Sequence, residues 1–255
     1  MFKNLCWFLL VFATSCGQPD EDVELTAVDD AATENGLQGG RASNAHPAVG
    51  LLIAEDGSLC TGSLIGPRLV LTAAHCVDSP IAGFYTGSGA AVVRGDNVNI
   101  ALDAMDAHAV ADQAAHPRYQ SNLCGDSPDV ALVLLAKPID DITPIPVARI
   151  GAAVVGSQCS VVGFGRHGSG ASRTTAQKRS GTSRVEAVGP HSVEVTAVTA
   201  LADHGDSGGP LLCNSRIRGI TSCGPDGPWK KRSVAYARVE PVKAWMDGVK
   251  ANWGV

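Results

Sequence analysis

From Ala48 onward the chain is written in apolar runs of only four to seven residues, each cut off by turn-forming residues. Residues 49–54, 69–72, 130–136, 159–163, 193–198, 210–213 and 233–239 are such runs, rich in Val, Ile and Leu. Runs this short suit strands, because a helix needs ten or more residues with apolar positions three and four apart. Only residues 241–253 have that spacing, with Val242, Trp245, Met246, Val249 and Trp253 on one face. They predict a terminal helix docked on the core. The 29 Gly and 14 Pro supply the turns. About 200 residues of short strands can form a single all-β domain.

The first 36 residues read differently. Met1 to Ser15 carry Lys3, a short apolar core and a small-residue ending before Cys16, the anatomy of a secretory signal peptide. The ending Ala13-Thr14-Ser15-Cys16 also resembles a bacterial lipoprotein signal, which implies lipidation of Cys16. Cleavage by an ordinary signal peptidase at the same bond would leave Cys16 as a free thiol. Between Gly17 and Gly36 lie Asp20, Glu21, Asp22, Glu24, Asp29, Asp30 and Glu34, with no Lys or Arg. With only Val23, Leu25 and Val28 as large apolar groups, this strip cannot bury enough surface to order itself. Residues 1–15 are thus expected to be a signal, 16–36 an acidic tether or pro-segment, and 37–255 the domain.

Charge and composition remove other classes. Charged residues are 18% and hydrophobic ones 45%, which excludes disorder for most of the chain. Net charge is −5 with no clustered basic stripe, against a nucleic-acid partner. The longest apolar run, residues 5–13, is far short of the roughly 20 residues that span a bilayer, so membrane contact is expected only through a lipid anchor. The expected localisation is exported: a bacterial outer-membrane or cell-surface lipoprotein, otherwise secreted or periplasmic. Residues 163–184, rich in Gly, Ser and Thr with Arg166, Arg173, Lys178, Arg179 and Arg184, predict a mobile basic surface loop.

Of eight cysteines, Cys6 lies in the signal and Cys16 at its end, leaving Cys60, Cys76, Cys124, Cys159, Cys213 and Cys223. Six in an exported domain suggest three disulfides. There is no C-x-x-C pair, and the Asp and His residues lack ligand spacing, so neither metal nor cofactor is expected.

Three segments carry chemistry: Thr72-Ala73-Ala74-His75-Cys76, Asp129-Val130-Ala131-Leu132 and Gly205-Asp206-Ser207-Gly208-Gly209-Pro210. The last also satisfies the Gly-x-Ser-x-Gly elbow of α/β-hydrolases. That elbow needs a following helix and the order Ser, Asp, His; here Pro210 ends any helix and the order is His, Asp, Ser. A serine hydroxyl is a poor nucleophile until an imidazole takes its proton, and the imidazole needs a carboxylate to fix its tautomer.

In this combination and order the segments resemble the chymotrypsin-like (trypsin-fold) serine proteases, over about residues 37–255. The resemblance implies two six-stranded antiparallel β-barrels packed together, with a C-terminal helix. It makes His75 the general base, Asp129 its orienting carboxylate and Ser207 the nucleophile. The N–H groups of Gly205 and Ser207 become the oxyanion hole, and Ser222 the serine that lines the substrate strand and touches Asp129. It pairs Cys60 with Cys76 and Cys159 with Cys213. Cys223 stands where the family commonly has Trp, and the loop before Asp129 packs nearby, so a Cys124–Cys223 bridge is expected. Asp203 replaces a usual half-cystine, so the bridge bracing the specificity loops is missing and those loops are expected to be more mobile.

In this family, cleavage frees an apolar N-terminus whose ammonium pairs with the Asp before the nucleophile. Leu37-Gln38-Gly39-Gly40 resembles that start and Asp206 its partner, implying a zymogen and an activating protease. The bond would be Gly36–Leu37, without the usual Arg or Lys. Counting back from Ser207 puts Leu201 at the base of the primary specificity pocket with Ala202 beside it. Val234 narrows the wall opposite Gly224, although residues 229–232, Trp-Lys-Lys-Arg, interrupt the register there. The implied protein is a monomeric exported serine endopeptidase acting on protein or peptide substrates after small or medium apolar residues. Two alternatives stand beside it: an esterase using the same triad, and a catalytically silent, unprocessed binding protein of the same fold.

Overall fold

The computed structural model describes residues 37, 39–89, 91–94, 97–100, 105–148, 153–167, 174–224 and 233–255. The expected signal, Cys16, the acidic segment and the 229–232 insertion lie outside them. In chain order the first strands are β1 (Arg41–Ala42), β2 (Val49–Ala54), β3 (Leu59–Gly66), β4 (Leu69–Thr72) and β5 (Ile81–Thr86). Then come β6 (Ala91–Arg94), β7 (Asn97–Ile100), β8 (Asp106–His108), β9 (Val110–Ala115) and β10 (Ala131–Leu135). The second half holds β11 (Gln158–Gly163), β12 (Thr174–Thr175), β13 (Arg179–Val188) and β14 (Ser192–Ala197). It continues with β15 (Pro210–Cys213), β16 (Arg216–Cys223) and β17 (Ser233–Arg238). One α-helix, α1 (Lys243–Trp253), follows a 3₁₀ turn at Glu240–Val242 that contains Pro241.

The strands form two antiparallel sheets of seven, ordered β8-β5-β2-β3-β4-β10-β9 and β1-β13-β11-β15-β16-β17-β14, and a small sheet β12-β6-β7. Two six-stranded barrels are still recognisable in them. In the second sheet β13 also pairs with β14, so six strands close into a ring and β1 is an added edge. In the first, β8 and β9 are separated only by Ala109, β8 pairing with β5 and β9 with β10. One bent strand therefore joins the two sheet edges covalently, and the seventh strand is the other half of the sixth.

This arrangement explains why the apolar runs are continuous, where a one-sided sheet would alternate. Successive side chains on a strand point to opposite faces. On β2, Leu52 and Ala54 fill the first barrel, while Val49 and Leu51 face a second buried layer. On β4 and β10, Val70 and Val133 point inward, while Leu71 and Leu132 join that layer. Ile217, Ile220 and Leu212 enter the same layer from the other sheet, whereas Leu211, Val161 and Val185 fill the second barrel. Helix α1 closes the layer with buried Met246, as its periodicity predicts.

The expected basic loop at 163–184 is corrected in its C-terminal part. Residues 179–188 are β13, hydrogen-bonded to both β11 and β14, and Lys178 is 1% exposed. Lys178 Nζ donates to the His46 carbonyl at 3.2 Å and lies 5.6 Å from the centre of the Phe164 ring, and burial lowers its pKa to about 8. Ser, Thr and Gly concealed this strand because its stability comes from two flanking ladders more than from its own side chains.

Candidate active site

The candidate site residues gather where the two barrels meet. His75 follows β4 within the short 3₁₀ turn Ala74–Val77, and Asp129 immediately precedes the buried run into β10. Because β10 pairs with β4, Ala131 lying opposite Thr72, the His and Asp leave neighbouring strand ends together. His75 Nδ1 is 2.7 Å from Asp129 Oδ2, and the His75 backbone N–H donates to Asp129 Oδ1 at 3.0 Å. Ser222 Oγ donates to Asp129 Oδ2 at 2.6 Å. Ser222 is able to do so because the β16–β17 ladder shifts register between Thr221 and Cys223, leaving it as an extra residue. Such bulges re-aim side chains near sites.

Burial works against charge on both partners, and the contacts outweigh it. It pushes the His75 imidazole down, while the Asp129 hydrogen bond and charge, with Asp78, bring it above the ordinary histidine value. It pushes Asp129 up, but His75 and Ser222 hold the carboxyl below the usual range. Asp129 is therefore ionised at neutral pH and aimed at Nδ1, leaving Nε2 as the basic nitrogen.

Ser207 sits in the turn between Asp206 and Gly208 that feeds β15. Gly208 presses on the His-bearing segment: a Cβ there would lie 2.1 Å from Thr72 Oγ1 and 2.9 Å from the Ala73 nitrogen. Thr61, fully buried on β3, is the other clamp. Its N–H donates to the Ser207 carbonyl at 2.7 Å and its hydroxyl to the Gly205 carbonyl at 2.9 Å. The Phe164 N–H donates to that same hydroxyl. Sequence reasoning missed Thr61. Its only local sign was a polar residue within a buried apolar strand. Among the described residues, the N–H groups of Gly205 and Ser207 have no acceptor, and Ser207 Oγ makes no hydrogen bond to His75. Nucleophile–base contacts are often long before substrate binds.

Asp206 is buried, and its carboxylate accepts from three backbone N–H groups: Gly165 at 2.8 Å, Asp203 at 2.9 Å and Leu37 at 3.0 Å. Leu37 is itself 1% exposed, within the second barrel's core. Asp203, where the resemblance implies a half-cystine, also receives the Asp206 N–H on its carbonyl and the His204 N–H on its carboxylate. The loop lacking its bridge is thus braced by a local hydrogen-bonded turn. Leu201, Ala202 and Val234 lie in one buried apolar cluster with Tyr236. A Cβ at Gly224 would stand 3.8 Å from Val234 Cγ2, so these two face each other.

Disulfides join Cys60 to Cys76, Cys124 to Cys223 and Cys159 to Cys213. Cys60 and Cys76 flank His75 closely enough to form a metal-like group, but sulfurs tied in a disulfide offer no thiolate. Cys124 is exposed and Cys223 half-buried, whereas the other four cysteines are buried. The Cys124–Cys223 bridge spans 99 residues and ends next to Ser222. Replacing both with Ser is expected to cost about 2–4 kcal/mol of stability, read by urea unfolding. In the unmutated protein, mild reduction followed by alkylation should label this pair before the others; simultaneous labelling of all six would contradict it.

Comparison with known proteins places these features among relatives. A family model described as Trypsin matches residues 37–246. A trypsin of Saccharopolyspora erythraea is 27% identical over 221 residues, covering 80% of this chain and 93% of that protein. Mouse (Mus musculus) kallikrein-8 is 27% identical over 227 residues, covering 82% and 84%. Mouse neuropsin, a serine protease expressed in the limbic system, superimposes with a TM-score of 0.68 at 25% identity, covering 82% and 98%. Human heparin binding protein shares the fold with a TM-score of 0.66 at 24% identity, covering 84% and 96%.

Proposed function

Since the chain belongs to the trypsin family of serine proteases, we propose that it is an exported serine endopeptidase working through His75, Asp129 and Ser207. The carrying observation is the Asp129 carboxylate, which receives His75 through ring and backbone and Ser222 through its hydroxyl. The fold alone would not decide the matter, since a heparin binding protein shares it.

In this reading a peptide carbonyl lies between Ser207 Oγ and the free N–H groups of Gly205 and Ser207. His75 Nε2 takes the hydroxyl proton as Oγ forms a bond to the carbonyl carbon, and the two N–H groups hold the oxyanion. The imidazolium, stabilised by ionised Asp129, gives its proton to the departing amine, leaving an acyl group on Ser207. Water, activated by the same imidazole, releases the acid. Leu201, Ala202 and Val234 line the pocket for the preceding side chain, and Ser222 to Gly224 offer a strand edge to the substrate backbone. Three disulfides need an oxidising compartment, which supports export, with Cys16 as the lipid-bearing residue.

A fluorophosphonate probe tests the reading on protein beginning at Leu37. One adduct is expected at Ser207 by mass spectrometry, none in Ser207→Ala, and hydrolysis of peptides as well as simple esters. Turnover of esters alone would make it an esterase. No adduct on folded protein with all three disulfides would favour a binding protein.

A further inference from the structure

Arg179 takes no part in the chemistry above, yet its surroundings tie it to the site. It opens β13 and stands opposite Gly163 in the antiparallel pair with β11. Residues directly opposite in such a pair send their side chains to the same face. On that face a Cβ added to Gly163 would lie 2.0 Å from Asp206 Oδ1. The Asp206 carboxylate therefore occupies the space over Gly163, and the Arg179 stem leaves the sheet alongside it. Arg179 Nη2 donates to the Gly40 carbonyl, and the Gly40 N–H donates to the Leu37 carbonyl. The Arg179 side chain thus runs from the strand position opposite Gly163, where Asp206 sits, to the turn that brings Leu37 onto Asp206. Its Nε–H is buried with no acceptor among the described residues.

Asp206 needs such a cation. In the chain as written Leu37 follows Gly36, so the nitrogen donating to Asp206 is a peptide N–H, with a partial charge only. Burial, together with the nearby Asp203 charge, raises the carboxyl to about 6, against the pull of its three N–H donors. Burial likewise disfavours the Arg179 charge, and the Asp206 charge opposes that. The Gly36–Leu37 bond, lacking Arg or Lys, also gives a trypsin-like activator nothing to recognise.

We propose that Arg179 is a positioning residue, the fixed cation of the Asp206 seat, which keeps Leu37 on Asp206 so that the uncleaved chain is catalytically competent. This rests on the protease reading above. The test uses full chain whose Gly36–Leu37 bond is intact by mass, and the same chain cut there. Both are labelled with a fluorophosphonate and followed by hydrogen exchange over 203–208. The intact wild-type chain should label at Ser207 within about tenfold of the cut one. Arg179→Gln should slow labelling of the intact chain about ten- to hundredfold, the effect of losing a hydrogen bond to a charged group. It should also speed exchange at 203–208, and Arg179→Lys should restore much of both. In the cut chain, where an ammonium supplies the charge, Arg179→Gln should matter far less. The proposal falls if only the cut wild-type chain labels, if Arg179→Gln behaves as wild type, or if it harms both forms equally. If neither wild-type form labels, the protease reading fails separately. Exchange then decides: faster in Arg179→Gln and restored by Lys sustains Arg179 as the positioning cation, and no change overturns it.

Discussion

Asp129→Asn is expected to lower kcat by about 10⁴-fold, the loss such a change causes in triads, while leaving KM much less affected. The reason is geometric before it is electrostatic. Asp129 accepts from the His75 ring, the His75 backbone and Ser222 at once. An amide can both donate and accept at that place, so the imidazole loses the partner that selects its Nδ1–H tautomer and stabilises its cation. The pH profile should move in a stated direction. In the proposed mechanism, activity requires neutral His75, and Asp129 outweighs burial to hold the imidazole above its ordinary value of 6.5. Activity should therefore rise with pH through a midpoint above 6.5. In Asp129→Asn burial acts unopposed except by Asp78, so the acid limb should shift to lower pH even as the plateau collapses. Steady-state kcat and KM measured from pH 5 to 9 check both parts. An acid limb that stays in place would mean that Asp129 does not set the His75 pKa.

What could be read from residues alone followed the range of each interaction. The three segments of the proposed triad could be picked out because each carries a local signature and they occur in a diagnostic order. The terminal helix was legible because its five apolar positions repeat at helical spacing, although Pro241 delays its regular start to Lys243. Strand β13 was not, since its Ser, Thr and Gly residues gain their order from pairing with β11 before it and β14 just after it, more than from their own side chains. Thr61 and Arg179 were hidden for the same reason. Thr61 touches the nucleophile turn across 144 residues, and Arg179 acquires a role only once register places it opposite Gly163. The strand count also depended on register: a single bend at Ala109 divides one barrel strand into two.

Cleavage after Ala, Val or Leu should exceed cleavage after Arg or Lys by about 10²–10³-fold in kcat/KM, since stranding a buried charge without its partner costs about 3–5 kcal/mol. Leu201 and Ala202, 1% and 4% exposed, form the floor in the proposed pocket, and neither side chain carries a charge. A guanidinium or ammonium reaching that floor would lose its water and find no carboxylate on Leu201 or Ala202 to pair with. An apolar side chain gains instead, at about 0.8 kcal/mol for each methylene it buries, until the wall stops it. Val234 is that wall, facing Gly224 across the mouth. Lengthening the side chain from Ala to Leu should raise kcat/KM, and Phe or Tyr should reverse the gain by overfilling the space. Val234→Gly then provides the internal control: it should move the optimum toward Phe and Tyr while leaving Arg and Lys poor, because depth has changed and charge has not. A peptide library varied at the residue before the scissile bond, read as separate kcat and KM, decides the matter. Dominant cleavage after Arg or Lys would place a carboxylate where Leu201 is assigned and overturn the pocket.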